Sequence, residues 1–208
     1  METLVENLET TIAELLEEQE IVRLPATLEE YFDLIQDNKF YDIEFYNHEI
    51  TVKMSTATDS HELLVATVIR LLGNNFLDTD CRVYGSNRPL YVIECDTAYN
   101  ADVLVVKGPT ELFPRKRKIA ATLNPRIVVE VLSDSNKGQA FNEKLACYKK
   151  ISTLQQIIQV SQYKTQVSVY TRTDDPHLWL NHDYDTLEMN VKVENFELSM
   201  KEIYRNLF

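Results

Sequence analysis

A mixed α/β domain with a sheet at its centre is the fold class that this 208-residue chain predicts. Three observations carry it. The short apolar runs "ADVLVV" and "RIVVEVLS" read as central strands covered on both faces. Helical patterns stand before and after them, in "STATDSHELLVATVIRLL" and "KGQAFNEKLACYKK". Outside these, residues alternate apolar and polar, as half-buried strands do.

The elements follow in order. Leu4, Leu8, Ile12, Leu15 and Leu16 recur at helical spacing. They predict an amphipathic helical extension over 1–26, with an apolar face fit for a partner subunit or for packing back on its own domain. Thr27 and Glu30 form a capping-box pattern ahead of a short helix. Tyr41, Ile43 and Phe45, then Ile50, Val52 and Met54, alternate with polar residues on either side of "NH" and predict a hairpin. Leu63, Leu64, Val68, Leu71 and Leu72 form a core-facing helical stripe, capped by Asp59 or Ser60. Short strands are expected over 81–85 and 90–94. The segment "KGPTELFPRKRKIAATLNP" reads as a loop between the central strands. "LQQIIQVSQYKTQVSVYTR" reads as two strands joined near Tyr163, and "LSMKEIYRNLF" closes the chain with a short helix. Helices before and after a sheet give the α/β class.

Composition narrows the function. Apolar residues make up 44% of the chain, enough for a core, and four Gly with six Pro exclude a collagen-like or disordered chain. A net charge of −12 argues against unaided, tight, non-specific binding to nucleic acid, and allows an acidic site that gathers cations. The three cysteines lack zinc-ligand spacing. The amino end has no basic region followed by an apolar run, and no apolar stretch is long enough to span a bilayer. A cytoplasmic protein without a membrane partner is the expectation.

Glu130 is the residue that asks for an explanation. It interrupts a run of branched apolar residues, and an ionised carboxylate in dry protein is costly unless compensated. A metal ion, a lysine or a wet cavity would each compensate it. Asp102 opens the other central strand, and strands close in sequence often neighbour in space. If the two pair, their carboxylates meet at one end of the sheet and repel unless a cation intervenes. Magnesium is the natural cation, held by one or two carboxylates plus substrate phosphate. Lys144, if helical, can reach back to them and offset charge on a phosphate. Glu44, on the polar face of the hairpin, is a candidate third carboxylate. His61 can touch a carboxylate or phosphate from a helix start. Each also has a plainer role: a turn residue for Asp102, an edge-strand side chain for Glu130, a solvated lysine, the wet side of an amphipathic strand, a hydrogen-bonding helix start.

The order of Glu44, Asp102 in "AD", Glu130 in "VVEVLS" and Lys144 in "EKLACY" resembles the Uma-type restriction endonuclease family of the PD-(D/E)XK nuclease superfamily. The resemblance runs from about Thr27 to Leu180, and "MKEIY" near the end is also similar. It implies a restriction-endonuclease-like core over 27–208, a central mixed β-sheet flanked by helices. It also implies divalent-metal-dependent hydrolysis of DNA phosphodiesters, with Mg2+ or Mn2+ as cofactor. By that resemblance Glu44, Asp102 and Glu130 are catalytic metal ligands and Lys144 is the catalytic lysine, displaced to the following helix because Leu132 stands at its usual place. Duplex DNA is the implied partner, and a homodimer serves the two cuts of a duplex. Departures are also present. Ala101 replaces a proline, Asn47 an aspartate, His48 a hairpin glycine, and Ala140 and its neighbours offer no acid. The alternative is an inactive nuclease fold that binds nucleic acid or protein. "PRKRK", Lys137, Lys149 and Lys150 are the basic residues that could grip a backbone, without reading bases.

Overall fold

The computed structural model describes residues 4–37, 41–54, 57–86, 88–114, 120–132 and 139–207, the side chains of 4–6, 37 and 139–141 excepted. The chain forms two compact units. Met1–Thr56, Pro89–Asn100 and Leu112–Leu123 make the first; Ala57–Arg88, Ala101–Glu111 and Asn124–Phe208 make the second. Elements are labelled in chain order across both.

The first unit holds α1 (Leu4–Leu16), β1 (Ile21–Pro25), α2 (Leu28–Asp37), β2 (Tyr41–Tyr46), β3 (Glu49–Met54), β5 (Leu90–Val92) and β6 (Thr97–Tyr99). Its strands form an antiparallel sheet in the order β1-β3-β2-β6-β5. Apolar alternation puts Ile43, Phe45, Ile50 and Val52 on one face, where they meet Tyr31, Phe32 and Leu34 of α2. The capping box before α2 is present: Glu30 N donates to Thr27 Oγ1 at 3.2 Å, and Thr27 N donates to Glu30 Oε2 at 2.7 Å. Ile12 of α1 is buried in this same core, with Leu8, Leu15 and Leu16 packed against it. The apolar face of α1 is therefore used within its own unit. After Val92 the chain turns through a 3-10 segment, Ile93–Cys95, so β5 is shorter than the expected 90–94 strand.

The second unit holds β4 (Cys81–Gly85), β7 (Val103–Lys107), β8 (Ile127–Leu132), β9 (Gln156–Ser161), β10 (Val167–Arg172) and β11 (Trp179–Tyr184). They form one mixed sheet in the order β11-β10-β9-β8-β7-β4. Only β8 and β9 run parallel in it. A parallel pair needs a crossover, and α4 (Gln139–Tyr148) lies within that connection. Helix α3 (Asp59–Asn75) supplies Leu64, Val65, Val68, Leu71 and Leu72 to a core with Val103, Val105, Ile127, Val129, Val131, Ile158 and Val160. The cap of α3 is Thr58, whose hydroxyl accepts from His61 N at 3.2 Å, and not Asp59 or Ser60. β12 (Asn190–Val193), β13 (Phe196–Ser199) and α5 (Met200–Ile203) complete the unit. Tyr204, in "MKEIY", donates its hydroxyl to the carbonyls of Ser161 and Gln166 and so closes the β9–β10 connection. Burial pushes that phenol up to about 12.

The β2–β3 hairpin explains one departure in the sequence. Tyr46 pairs with Glu49, leaving Asn47 and His48 as a two-residue loop with φ of 51° and 61°. Two central residues in the left-handed region are what a type I′ hairpin turn requires. Asparagine tolerates this region; histidine, with its Cβ against the following carbonyl, does so at a cost. His48→Gly is expected to stabilise the protein by about 1 kcal/mol. Urea unfolding measures it, and a lower midpoint would contradict the strain.

Candidate active site

The site grows from strand register in the second unit. β7 and β8 are antiparallel, with Val103 opposite Val129 and Leu104 opposite Val128. One further step along this register sets Asp102 opposite Glu130. Side chains so placed share a face, with Cβ atoms roughly 5 Å apart. The opposite face carries Val103, Val105, Val129 and Val131 into the α3 core. Asp102 precedes β7, and its Oδ2 accepts from Val131 N at 2.7 Å, so the carboxylate extends the ladder where its own strand begins. His61, one turn into α3, brings Nε2 to 3.3 Å from Asp102 Oδ1.

Glu130 has a side chain only 3% exposed. Lys144 Nζ lies 3.0 Å from Glu130 Oε1, and the Tyr148 hydroxyl donates to the same oxygen at 2.6 Å. These two residues are one helical turn apart on α4, which brings both to one carboxylate. Of the three compensations open to a mid-strand glutamate, the structure uses the lysine, joined by a phenol. Asp102 and Glu130 thus share one register position, with Lys144 and Tyr148 joined to Glu130 and His61 reaching Asp102 from the start of α3. Tyr148 was visible in the sequence as an α4 neighbour of Lys144, though not as a partner of Glu130.

Glu44 lies in the first unit, on β2. Asn100 N donates to Glu44 Oε1 at 3.4 Å, while Asn100 Nδ2 donates to Asp42 at 2.7 Å. Lys53 pairs with Asp42 at 3.0 Å. The buried Tyr31 phenol is pushed upward by desolvation first, then by the charges of Glu44 and Asp42. Of the basic residues, Arg115 to Lys118 and Lys137 lie outside the described residues. Lys149 stands 4.9 Å from the Tyr170 ring, and burial lowers its pKa; Lys150 is exposed. A cavity of about 460 Å³ opens beside α3, lined by Glu62, Val65, Tyr84, Ser86 and Arg88 among others, with the Arg88 guanidinium 4.3 Å from the Tyr84 ring centroid.

Carboxylate oxygens are the donor type that a hard cation takes. Two carboxylates on adjacent strands meet the common magnesium requirement, in which water and substrate phosphate complete the shell. Among the described residues, no group of three or more His, Cys, Asp or Glu side chains is placed to hold a metal ion.

Comparison with known proteins adds the lineage. Residues 28–201 match the model of the Uma2 family, described as "Putative restriction endonuclease". The chain belongs to this family. Two Synechocystis sp. (strain ATCC 27184 / PCC 6803 / Kazusa) relatives carry the names "Uncharacterized protein sll1609" and "Uncharacterized protein slr1290". The first is 29% identical over 137 residues, covering 66% of this chain and 75% of that one. The second is 25% identical over 166 residues, covering 79% and 84%. A crystal structure described as a putative nuclease belonging to DUF820, from Anabaena variabilis ATCC 29413, superposes with a TM-score of 0.68 at 18% identity. It covers 88% of this chain and all of the other, and shows the same α/β fold with a mixed sheet flanked by helices. Among the described residues of this Uma2-family chain, no helix is long and apolar enough to cross a membrane.

The Glu130–Lys144 pair carries a stability consequence. Removing one partner of a buried pair strands the other charge, at a cost of about 3 kcal/mol. Lys144→Met should lose that much in urea unfolding, and the Lys144→Met/Glu130→Gln double variant should recover most of it. Equal losses in both would mean that the pair is not a stranded-charge system.

Proposed function

We propose that this Uma2-family protein is a magnesium-dependent DNA endonuclease whose site is built on Asp102, Glu130 and Lys144. The observation that carries the reading is two carboxylates in cross-strand register with a lysine 3.0 Å from one of them, in a chain of this family. Bound between the carboxylates, Mg2+ or Mn2+ would supply Lewis-acid polarisation of a phosphate oxygen and a more acidic water. Asp102 and Glu130 would hold the cation. The Val131 amide and His61 fix Asp102, and Tyr148 fixes Glu130. Lys144 orients the attacking water and offsets negative charge developing on the phosphate, where a point charge in a dry site is effective. Glu44 is the third carboxylate that the resemblance implies. Lys150 and the aromatic-backed Arg88 are suited to backbone phosphates, which position a duplex without reading its bases. Cutting both strands needs two such sites, so the acting form is a homodimer in the cytoplasm.

A second reading has an observation of its own. Glu130 and Lys144 neutralise each other in a nearly closed environment, as a nuclease fold retained only for binding would also allow.

Nicking of supercoiled plasmid with Mg2+ or Mn2+ separates them. Wild type should cleave; Asp102→Asn and Glu130→Gln should be nearly inactive. Lys144→Ala, at equal folded concentration, should lose roughly a hundred- to thousand-fold in rate, as loss of one oriented electrostatic donor does. Glu44→Gln should also lower cleavage. Equal cleavage by wild type and Asp102→Asn would reject this site, and a chelator-resistant activity would reject the metal. Sedimentation of a monomer at micromolar concentration, with double-strand cutting intact, would reject the dimer.

A further inference from the structure

Strand β9 carries two buried glutamines, Gln156 and Gln159, with different fates. Gln156 faces the α3 side of the sheet and is fully engaged. Its Nε2 reaches Thr171 Oγ1 at 3.1 Å and the Lys192 carbonyl at 3.3 Å, and its Oε1 accepts from Glu194 N at 2.9 Å. Gln159 is 6% exposed, and its Nε2 is buried with no hydrogen-bond partner among the described residues. An amide donor shut away from water and left unpaired is costly, and an apolar side chain of similar length would remove the cost.

The register supplies a reason for it. In the parallel β8–β9 pair, Gln159 is the partner of Glu130. Such partners project from the same face, and the strands are about 4.8 Å apart, a gap that a glutamine spans. The neighbours Val129, Val131, Ile158 and Val160 all point to the other face, into the α3 core. Asp102, Glu130 and Gln159 therefore form one polar row over three adjacent strands, with Glu130 in the middle.

We propose that Gln159 is a positioning residue of this site: its amide donates to the Glu130 carboxylate when Lys144 turns to the attacking water and phosphate. The inference rests on the nuclease reading above. In the structure Lys144 and Tyr148 both donate to Glu130 Oε1. The Lys144 ammonium has three donors, and as it turns them to the water and phosphate its hold on that oxygen loosens. Glu130 then loses part of the positive charge that offsets its burial, and a further donor on the carboxylate compensates that loss. Gln159 offers a donor that is already dehydrated and fixed by its strand. It is also neutral, so it restores the hydrogen bond without restoring a positive charge. The full negative charge of Glu130 then faces the divalent cation. No covalent bond changes in this exchange.

The test uses the full chain with Gln159→Met, which keeps length and removes hydrogen bonding, and Gln159→Leu as a second variant. Manganese binding is read by calorimetry, stability by thermal unfolding, and plasmid nicking by its kcat and KM. Both variants should melt at or above the wild-type temperature while binding Mn2+ about ten-fold more weakly, the size of effect expected for an outer residue that orients a metal ligand. The kcat should fall with KM for DNA unchanged. Wild-type Mn2+ affinity in both variants would overturn the role of Gln159 and leave the metal site standing. A lower melting temperature with unchanged affinity would also overturn it, making Gln159 a packing residue. Absence of Mn2+ binding by the wild type itself would overturn the nuclease reading and this inference together.

Discussion

The ion pair between Glu130 and Lys144 is the constraint on which the second unit turns. A carboxylate in the middle of a buried strand is tolerable only with a counter-charge and a further donor, and both come from α4. That requirement fixes the rotation of α4 on the sheet, because Lys144 and Tyr148 must project from one face toward one oxygen. Tyr148 is also fully buried, so its ring anchors the helix while its hydroxyl serves the site. Beyond the end of α4, Arg172 of β10 donates to the carbonyls of Lys149, Ile151 and Leu154 and holds the exit of the helix. The charged centre and the packing of the helix are therefore one problem with one solution.

Much of this was legible in the sequence, for identifiable reasons. Glu130 stands out because the residues around it are apolar, and the strand signals of β7 and β8 are short and unmixed. The α3 stripe and the β2–β3 hairpin follow periodicity alone. Lys144 was reachable through its order after Glu130 and the resemblance of "EKLACY". The cap of α3 was expected at Asp59 or Ser60, since "TATDSH" offers several side chains able to cap and only backbone geometry chooses Thr58. β11 gave no signal: "WLNHDY" places Asn, His and Asp in succession, because an edge strand with mostly exposed side chains has no reason to alternate. Gln159 was hidden because "QQIIQV" suits any strand; its burial beside Glu130 depends on which strand pairs with β8. The stripe on α1 suited both a partner and its own unit, and Ile12 settles that its own unit takes it up.

The family relationship explains why such local departures are tolerated. Relatives at 25% and 29% identity, and a shared fold at 18%, leave most positions free to drift. His48 in a left-handed turn is a drift of this kind, a local strain absorbed by the strand pairs on either side of it. A change at Glu130 or Lys144 has no such buffer, because each leaves its partner charged and dry.

The parallel crossover has a consequence for how the molecule is made. Glu130, Lys144, Tyr148 and Gln159 all lie on the uninterrupted path from β8 through α4 to β9. Closing a short segment of chain costs little entropy, and contacts near in sequence form fast. The charged centre is thus encoded within one stretch of chain. Asp102 and His61 arrive from farther back in the chain, when β7 and α3 dock. The lysine-bound glutamate is therefore a local feature of the chain, whereas the second carboxylate is supplied by a strand from another stretch of it.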